Sequence, residues 1–278
     1  MSAVLKLSAP ATHGFWEIPV LYEDAELLAV DKPAGLLTSP DRLEPERPSL
    51  MQLLHEGMAA GKPWSRERNL SYVANAHRLD FETSGALLLA KSKAVLIALA
   101  DQFGTDQPLR RYVALVQGTP LDDTFEMSEK IGPHPLQGGR MRIDLRNGKK
   151  AKTEFAVLER FSQWSLVRCV PRGERPQQIA LHLGHARHAL VGDETHGGKK
   201  LWLSRLKRGF RLKPGHEERP LISRPLLHLE EMNVMHPISH EVVNLKCEWP
   251  KDLRVAVKYL RLYSKPGTNQ PADEPEQD

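Results

Sequence analysis

His77-Arg78-Leu79-Asp80-Phe81-Glu82-Thr83-Ser84-Gly85 runs without a break into Ala86-Leu87-Leu88-Leu89-Ala90-Lys91. The second half is a continuous apolar run with the length of a buried strand. The first half gathers His, Arg, Asp, Thr and Ser on the segment that enters this strand. Polar groups on a loop pinned by a rigid element are the usual seat of catalytic side chains. Asp80 has the widest chemistry open to it: nucleophile, general base or metal ligand. Residue types alone favour a plainer reading, in which Arg78 and Asp80 form a surface ion pair beside a Thr-Ser-Gly turn.

The flanking sequence predicts a fold class. Ser92 suits the N-cap of a helix reaching Phe103, which Gly104 would end. Residues 20–30 alternate loosely and predict one strand running into the turn Lys32-Pro33-Ala34-Gly35. Residues 48–56 predict a short helix with Pro48 in its first turn and Gly57 beyond its end. Further strands are predicted at 111–117, 153–158, 165–170, 227–234 and 242–245, and helices near 176–186 and 250–259. Strands outnumber helices without regular βαβ alternation, which predicts α+β with a mixed, largely antiparallel sheet and flanking helices. No linker divides the chain midway. The expected organisation is an N-terminal extension (1–17), one main domain (18–264) with a basic insertion at about 199–224, and an acidic, disordered tail (265–278).

Composition narrows the class of function. The chain has 278 residues, 40% apolar and 27% charged, which excludes a fibrous or wholly disordered protein. No apolar run approaches the ~18 residues of a membrane helix, and no secretory signal is expected at the N-terminus. Cys169 and Cys247 lie far apart and outside any CxxC pair, so neither a disulfide scaffold nor a cysteine zinc site is expected, and the cytoplasm is the natural compartment. The net charge of +4 is unevenly held. Residues 137–152 carry +5 (Arg140, Arg142, Arg146, Lys149, Lys150 and Lys152 against Asp144), and residues 199–224 carry +7 with Trp202 and Phe210 interleaved. Two such windows predict a polyanionic partner, with Lys207, Arg208 and Arg211 on its phosphate backbone.

The segment 77–91 resembles the signature H-R-L-D-x-x-T-S-G-x-x-L-x-A-K of the RluA-type pseudouridine synthases, matching every fixed position. Other stretches follow in the family's order. Residues 26–36 (ELLAVDKPAGL) are similar to its strand ending in Lys-Pro-x-Gly. Residues 111–118 (RYVALVQG) resemble its Y-x-A-x-V-x-G strand, and residues 151–159 its A-x-T-x-F-x-V-L strand. His188 to Gly197 is similar to its H-P-I-x-G-D-x-x-Y-G segment, with Ala189 for proline and His196 for tyrosine. Leu227-His228 and His236-Pro237 resemble its final strand.

The resemblance implies the pseudouridine synthase fold and an intramolecular transfer. Uracil is detached from its ribose in ribosomal or transfer RNA and rejoined through carbon 5, with no cofactor and no metal. Asp80 would be the catalytic aspartate, as nucleophile or as base in a glycal route. His77, Arg78, Thr83, Tyr112, Arg175 and Gln178 would bind substrate, with Arg78 helping to fill the space left by a flipped nucleotide. A monomer is expected.

One position departs from the pattern. The family's G-R-x-H-Q-(I/L)-R-x-H corresponds to Glu174-Arg175-Pro176-Gln177-Gln178-Ile179-Ala180-Leu181-His182, so Ala180 stands where an arginine pairs with the catalytic carboxylate. A partly desolvated Asp80 without that cation would have a raised pKa, unless Arg175 or Arg172 supplies the charge. The departure leaves an alternative of a different class, an RNA-binding protein or RNA chaperone with the same fold and little catalysis. A metal-dependent hydrolase using His182, His185, His188, Asp193 and His196 is a weaker rival, because their spacing drifts around a helix and lacks HExxH. A serine hydrolase built on Ser84 lacks the G-x-S-x-G elbow.

Overall fold

In the computed structural model, which describes residues 3–264, Asp24 turns the stretch predicted as one strand into a hairpin. Its Oδ1 accepts the backbone N–H groups of Glu26 and Leu27 at 2.8 and 2.7 Å. Such an Asx turn competes locally with the ladder. The chain therefore begins with β1 (Val4–Ala9), β2 (Gly14–Glu23) and β3 (Leu27–Lys32). It continues with α1 (Leu50–Ala59), α2 (Pro63–Arg66), β4 (Ala74–Asn75), β5 (Ser84–Ala90), α3 (Lys93–Gly104) and β6 (Leu109–Gln117). Next come β7 (Thr124–Met127), β8 (Ile131–Pro133), β9 (Met141–Ile143), β10 (Lys152–Arg160), β11 (Trp164–Arg172), α4 (Gln178–His185) and α5 (Leu203–Leu206). The described chain closes with β12 (Leu227–Met235), β13 (Val242–Lys246) and α6 (Lys251–Tyr263). The predicted acidic tail lies outside the described residues.

Where the sequence predicts one continuous domain, the chain forms two compact units. The first holds the described residues up to Arg110 together with Leu229–Glu248; the second holds Arg111–His228 and the described residues from Trp249 on. The chain passes between units inside β6, again inside β12, and a third time between Glu248 and Trp249.

In the first unit β1 pairs with β2, β2 with β3 and β3 with β5, all antiparallel, and β12 pairs antiparallel with β13. The boundary predicted at residue 18 falls inside β2, because Val4 pairs with Pro19 and Phe15 with Ser8. Residues 4–17 thus belong to the sheet and are no separate extension. All seven residues of β5 are buried, as the apolar run predicts. At ~1.5–3 kcal/mol per buried leucine, Leu87, Leu88 and Leu89 anchor the loop that precedes them. The predicted Ser92 cap forms, accepting from the Val95 N–H at the start of α3. Helix α1 starts later than predicted: Ser49, not Pro48, opens it, accepting from the Gln52 N–H, and Gly57 lies within the helix.

In the second unit β6, β11, β10 and β7 pair in that order, antiparallel throughout, and β8 and β9 form a separate hairpin. Helix α6 buries Leu253, Ala256, Val257 and Leu260, an i, i+3, i+4, i+7 stripe. They pack with Val113, Leu115 and Val191 and with three residues of the basic segment, Leu201, Leu206 and Ile222. That segment is therefore anchored by its apolar residues while Lys207, Arg208 and Arg211 are exposed; Arg224, by contrast, is mostly buried and paired with Asp252 at 2.8 Å.

Candidate active site

Residues 77–80 alternate in burial. His77 and Leu79 are buried and Arg78 and Asp80 exposed. The inward pair fixes the outward pair. His77 is 6% exposed, stacks on Phe103 of α3 at 5.1 Å, and accepts the Leu88 N–H on Nε2 at 3.1 Å. Its remaining proton therefore sits on Nδ1, which is buried without a hydrogen-bond partner among the described residues. Burial, and after it the charge of Arg110, lowers the His77 pKa to about 3. A neutral, enclosed imidazole of this kind holds the loop against β5.

Two residues that the sequence reading did not single out, Thr38 and Asn75, complete the mount together with Lys32 of the Lys-Pro-x-Gly turn. Thr38 Oγ1 donates to the Leu79 carbonyl at 2.8 Å and accepts the Leu79 N–H at 3.1 Å. Asn75 donates to the His77 carbonyl at 2.9 Å. The fully buried Lys32 donates to the carbonyls of Pro33 and Leu36, shaping the turn in which Gly35, at φ +73°, donates its N–H to the Phe81 carbonyl. The Lys-Pro-x-Gly motif is thus a bracket for the aspartate loop. The Thr83 N–H closes the turn onto the Asp80 carbonyl at 3.0 Å, and the Thr83 side chain is buried. Asp80 is exposed in the described chain, so the partly desolvated carboxylate expected from the sequence is not what the structure contains.

The second unit carries Tyr112, Arg175 and Gln178. Tyr112, 3% exposed on β6, donates its hydroxyl to Glu174 Oε1 at 3.1 Å. Gln178 caps the start of α4: its Oε1 accepts the Arg175 N–H at 2.9 Å, and its Nε2 donates to the Lys152 carbonyl and Thr153 Oγ1. Its amide is engaged at both ends and buried, which makes it a clasp of β10 and α4 and corrects the expectation that it reaches substrate. Arg175 is half-buried, and its Nε has no hydrogen-bond partner among the described residues. Ala180 lies half-buried on α4.

Three of the four histidines of the metal-hydrolase rival serve the scaffold, and the fourth, His185, is exposed. His182 bonds Thr153 Oγ1 and the Glu129 carbonyl, His188 bonds the Gln117 carbonyl, and His196 Nδ1 lies 2.7 Å from Asp193 Oδ2. Lys207, Arg208 and Arg211 are all exposed, and Lys207 Nζ lies 5.7 Å from the centre of the Tyr263 ring. No helix among the described residues is long and apolar enough to cross a membrane.

Solved structures define the class of fold. The human RNA pseudouridylate synthase domain containing 4 superposes with a TM-score of 0.63 at 21% identity, over 90% of this chain and 94% of that one. Its relative, domain containing 1, gives 0.59 at the same identity. The sequence profile described as RNA pseudouridylate synthase matches residues 26–185. Ribosomal large subunit pseudouridine synthase D of Xylella fastidiosa is 31% identical over 254 residues, covering 88% of this chain and 70% of that one. Ribosomal large subunit pseudouridine synthase C of Escherichia coli is 28% identical over 243 residues, covering 87% and 70%. The chain belongs to the RNA pseudouridylate synthase family, in the RluA branch that the signature at 77–91 indicates. It is an RNA-modifying isomerase, and the alternative of a non-catalytic RNA chaperone is not favoured.

Proposed function

We propose that this enzyme isomerises uridine in large-subunit ribosomal RNA, as a cytoplasmic monomer, with Asp80 as the catalytic carboxylate. The observation that carries the assignment is the mounting of Asp80. An exposed carboxylate lies between the buried, hydrogen-bonded Leu79 and the half-buried Phe81, whose carbonyl accepts the Gly35 N–H, so it is held where an extruded nucleotide can meet it. The reaction breaks the N1–C1′ bond and forms C5–C1′; N1 gains a proton and C5 loses one, so the isomerisation consumes nothing. The carboxylate serves either by attacking the sugar or base, or by taking a sugar proton. Arg78, exposed two residues earlier on the same side, is placed to fill the space the nucleotide vacates. Ala180 removes a charge that the family usually carries. Arg175, whose buried Nε has no hydrogen-bond partner among the described residues, is preferred to Arg172 as its replacement. Tyr112 lines the uracil pocket in this reading, while His77 and Thr83 act from beneath the loop.

Asp80→Asn keeps shape and hydrogen bonding but removes the charge. Single-turnover conversion of an unmodified large-subunit rRNA transcript should fall by more than about a hundredfold, a barrier increase above ~2.7 kcal/mol, with RNA affinity little changed. A variant retaining more activity than this would remove Asp80 from the central role. Mapping of pseudouridine in total RNA from cells with and without the gene should show loss at a large-subunit rRNA position. Loss confined to transfer RNA would overturn the substrate assignment.

A further inference from the structure

The residue that follows the catalytic aspartate carries an arginine on its face. The Arg47 guanidinium lies 4.6 Å from the centre of the Phe81 ring. Phe81 itself is fixed, since its carbonyl accepts the Gly35 N–H at 2.9 Å. Arg47 arrives on a loop stiffened by Pro40, Pro45 and Pro48, in a turn closed by its own N–H onto the Glu44 carbonyl at 3.1 Å. Pro48 further restricts the backbone of Arg47. The planar fork is thus pre-oriented by stacking, the arrangement in which arginine takes a phosphate through two parallel hydrogen bonds.

A carboxylate already occupies the fork. Glu44 Oε2 lies 2.9 Å from Arg47 Nη1, and the two side chains are 45% and 46% exposed. Ion pairs this exposed contribute little to stability, so exchange of the carboxylate for another anion costs the fold little. The loop's other anchored acid, Asp41, spends its Oδ1 on the Leu43 N–H and is no competitor for the fork.

We propose that Arg47, stacked on Phe81, is a clamp for an RNA phosphate beside the target uridine, and that Glu44 holds the clamp as a placeholder which the phosphate displaces. The proposal rests on the reading of Asp80 as the catalytic group acting on RNA. It adds a binding residue outside the family signature and a reason for the acidic residue beside it.

Binding and single-turnover kinetics on an unmodified large-subunit rRNA transcript test it. Arg47→Ala should raise the dissociation constant about tenfold at low salt and make the log–log salt dependence shallower by about one. Arg47→Lys should keep the salt slope while losing part of the affinity, because a point charge lacks the fork. Glu44→Gln should tighten binding by up to about fivefold, the most that so exposed a pair can withhold, and should do nothing in the Arg47→Ala background. Tighter binding on loss of an ion pair is what a purely structural role would not produce. Unchanged affinity in Glu44→Gln, an equal effect in both backgrounds, or an unchanged salt slope in Arg47→Ala would overturn the clamp. If the wild-type protein converts no uridine in this transcript, the substrate reading fails instead, and the two failures are distinct.

Discussion

His77 is the residue whose burial says most about the loop. As an ordinary histidine it would titrate near 6.5, whereas in the folded chain burial lowers it to about 3. Between these values the unfolded chain binds a proton that the folded chain refuses. Stability from this group is therefore fully present above about pH 6.5 and is lost as pH falls toward about 3, at roughly 1.4 kcal/mol per pH unit. Urea unfolding at about pH 7 and about pH 5 should show wild type losing ~2 kcal/mol more than His77→Gln. Equal losses would mean that His77 is protonated in the folded state. His182 and His188 are also lowered, mainly by burial, so the comparison between variants isolates His77. The sequence pattern placed His77, Arg78 and Asp80 together, but only the alternation of burial separates the side chain that supports the loop from those that are exposed.

At the scale of elements, β5 and α3 were legible because each carries its own signals: an unbroken apolar run, a serine cap and a terminal glycine. The β2–β3 hairpin was not, since an Asp within a loosely alternating stretch is a turn only when its carboxylate captures the N–H groups ahead of it. Gly85, at the start of β5, shows what a signature glycine does. Its φ is +121°, and a Cβ there would stand 2.3 Å from the carbonyl oxygen of Leu229 on β12. Gly85→Ala therefore meets a backbone conformation closed to alanine and a collision with main chain, which cannot swing aside. The expected cost is about 3 kcal/mol or more, read as a lowered denaturation midpoint. A variant with wild-type stability would show that the two strands can part without loss. Gln178 is the corresponding case on α4. Its place in the motif pointed to substrate, yet its amide holds β10 and the helix start together.

On the scale of the whole molecule, the basic windows bear on how RNA is held. Leu201, Leu206 and Ile222 anchor residues 199–224 in the core of the second unit, leaving Lys207, Arg208 and Arg211 exposed. Replacing those three by alanine should weaken RNA binding and make its log–log salt dependence shallower, by about one unit for each phosphate left unneutralised, with little change in thermal stability. An unaltered salt slope would reduce the segment to a solvated surface. By itself the sequence determined the α+β class, most of the principal strands and helices, and, through a contiguous signature, the family to which the chain belongs, because these follow from local patterns of apolar residues, caps and adjacent motif positions. Only the tertiary structure decided which of the signature's polar groups face outward, that Thr38 clasps a residue 41 positions away, that Arg47 lies on Phe81, and that the chain forms two units. Such contacts join residues remote in sequence, and no periodicity or local spacing records which distant backbone group a side chain will meet.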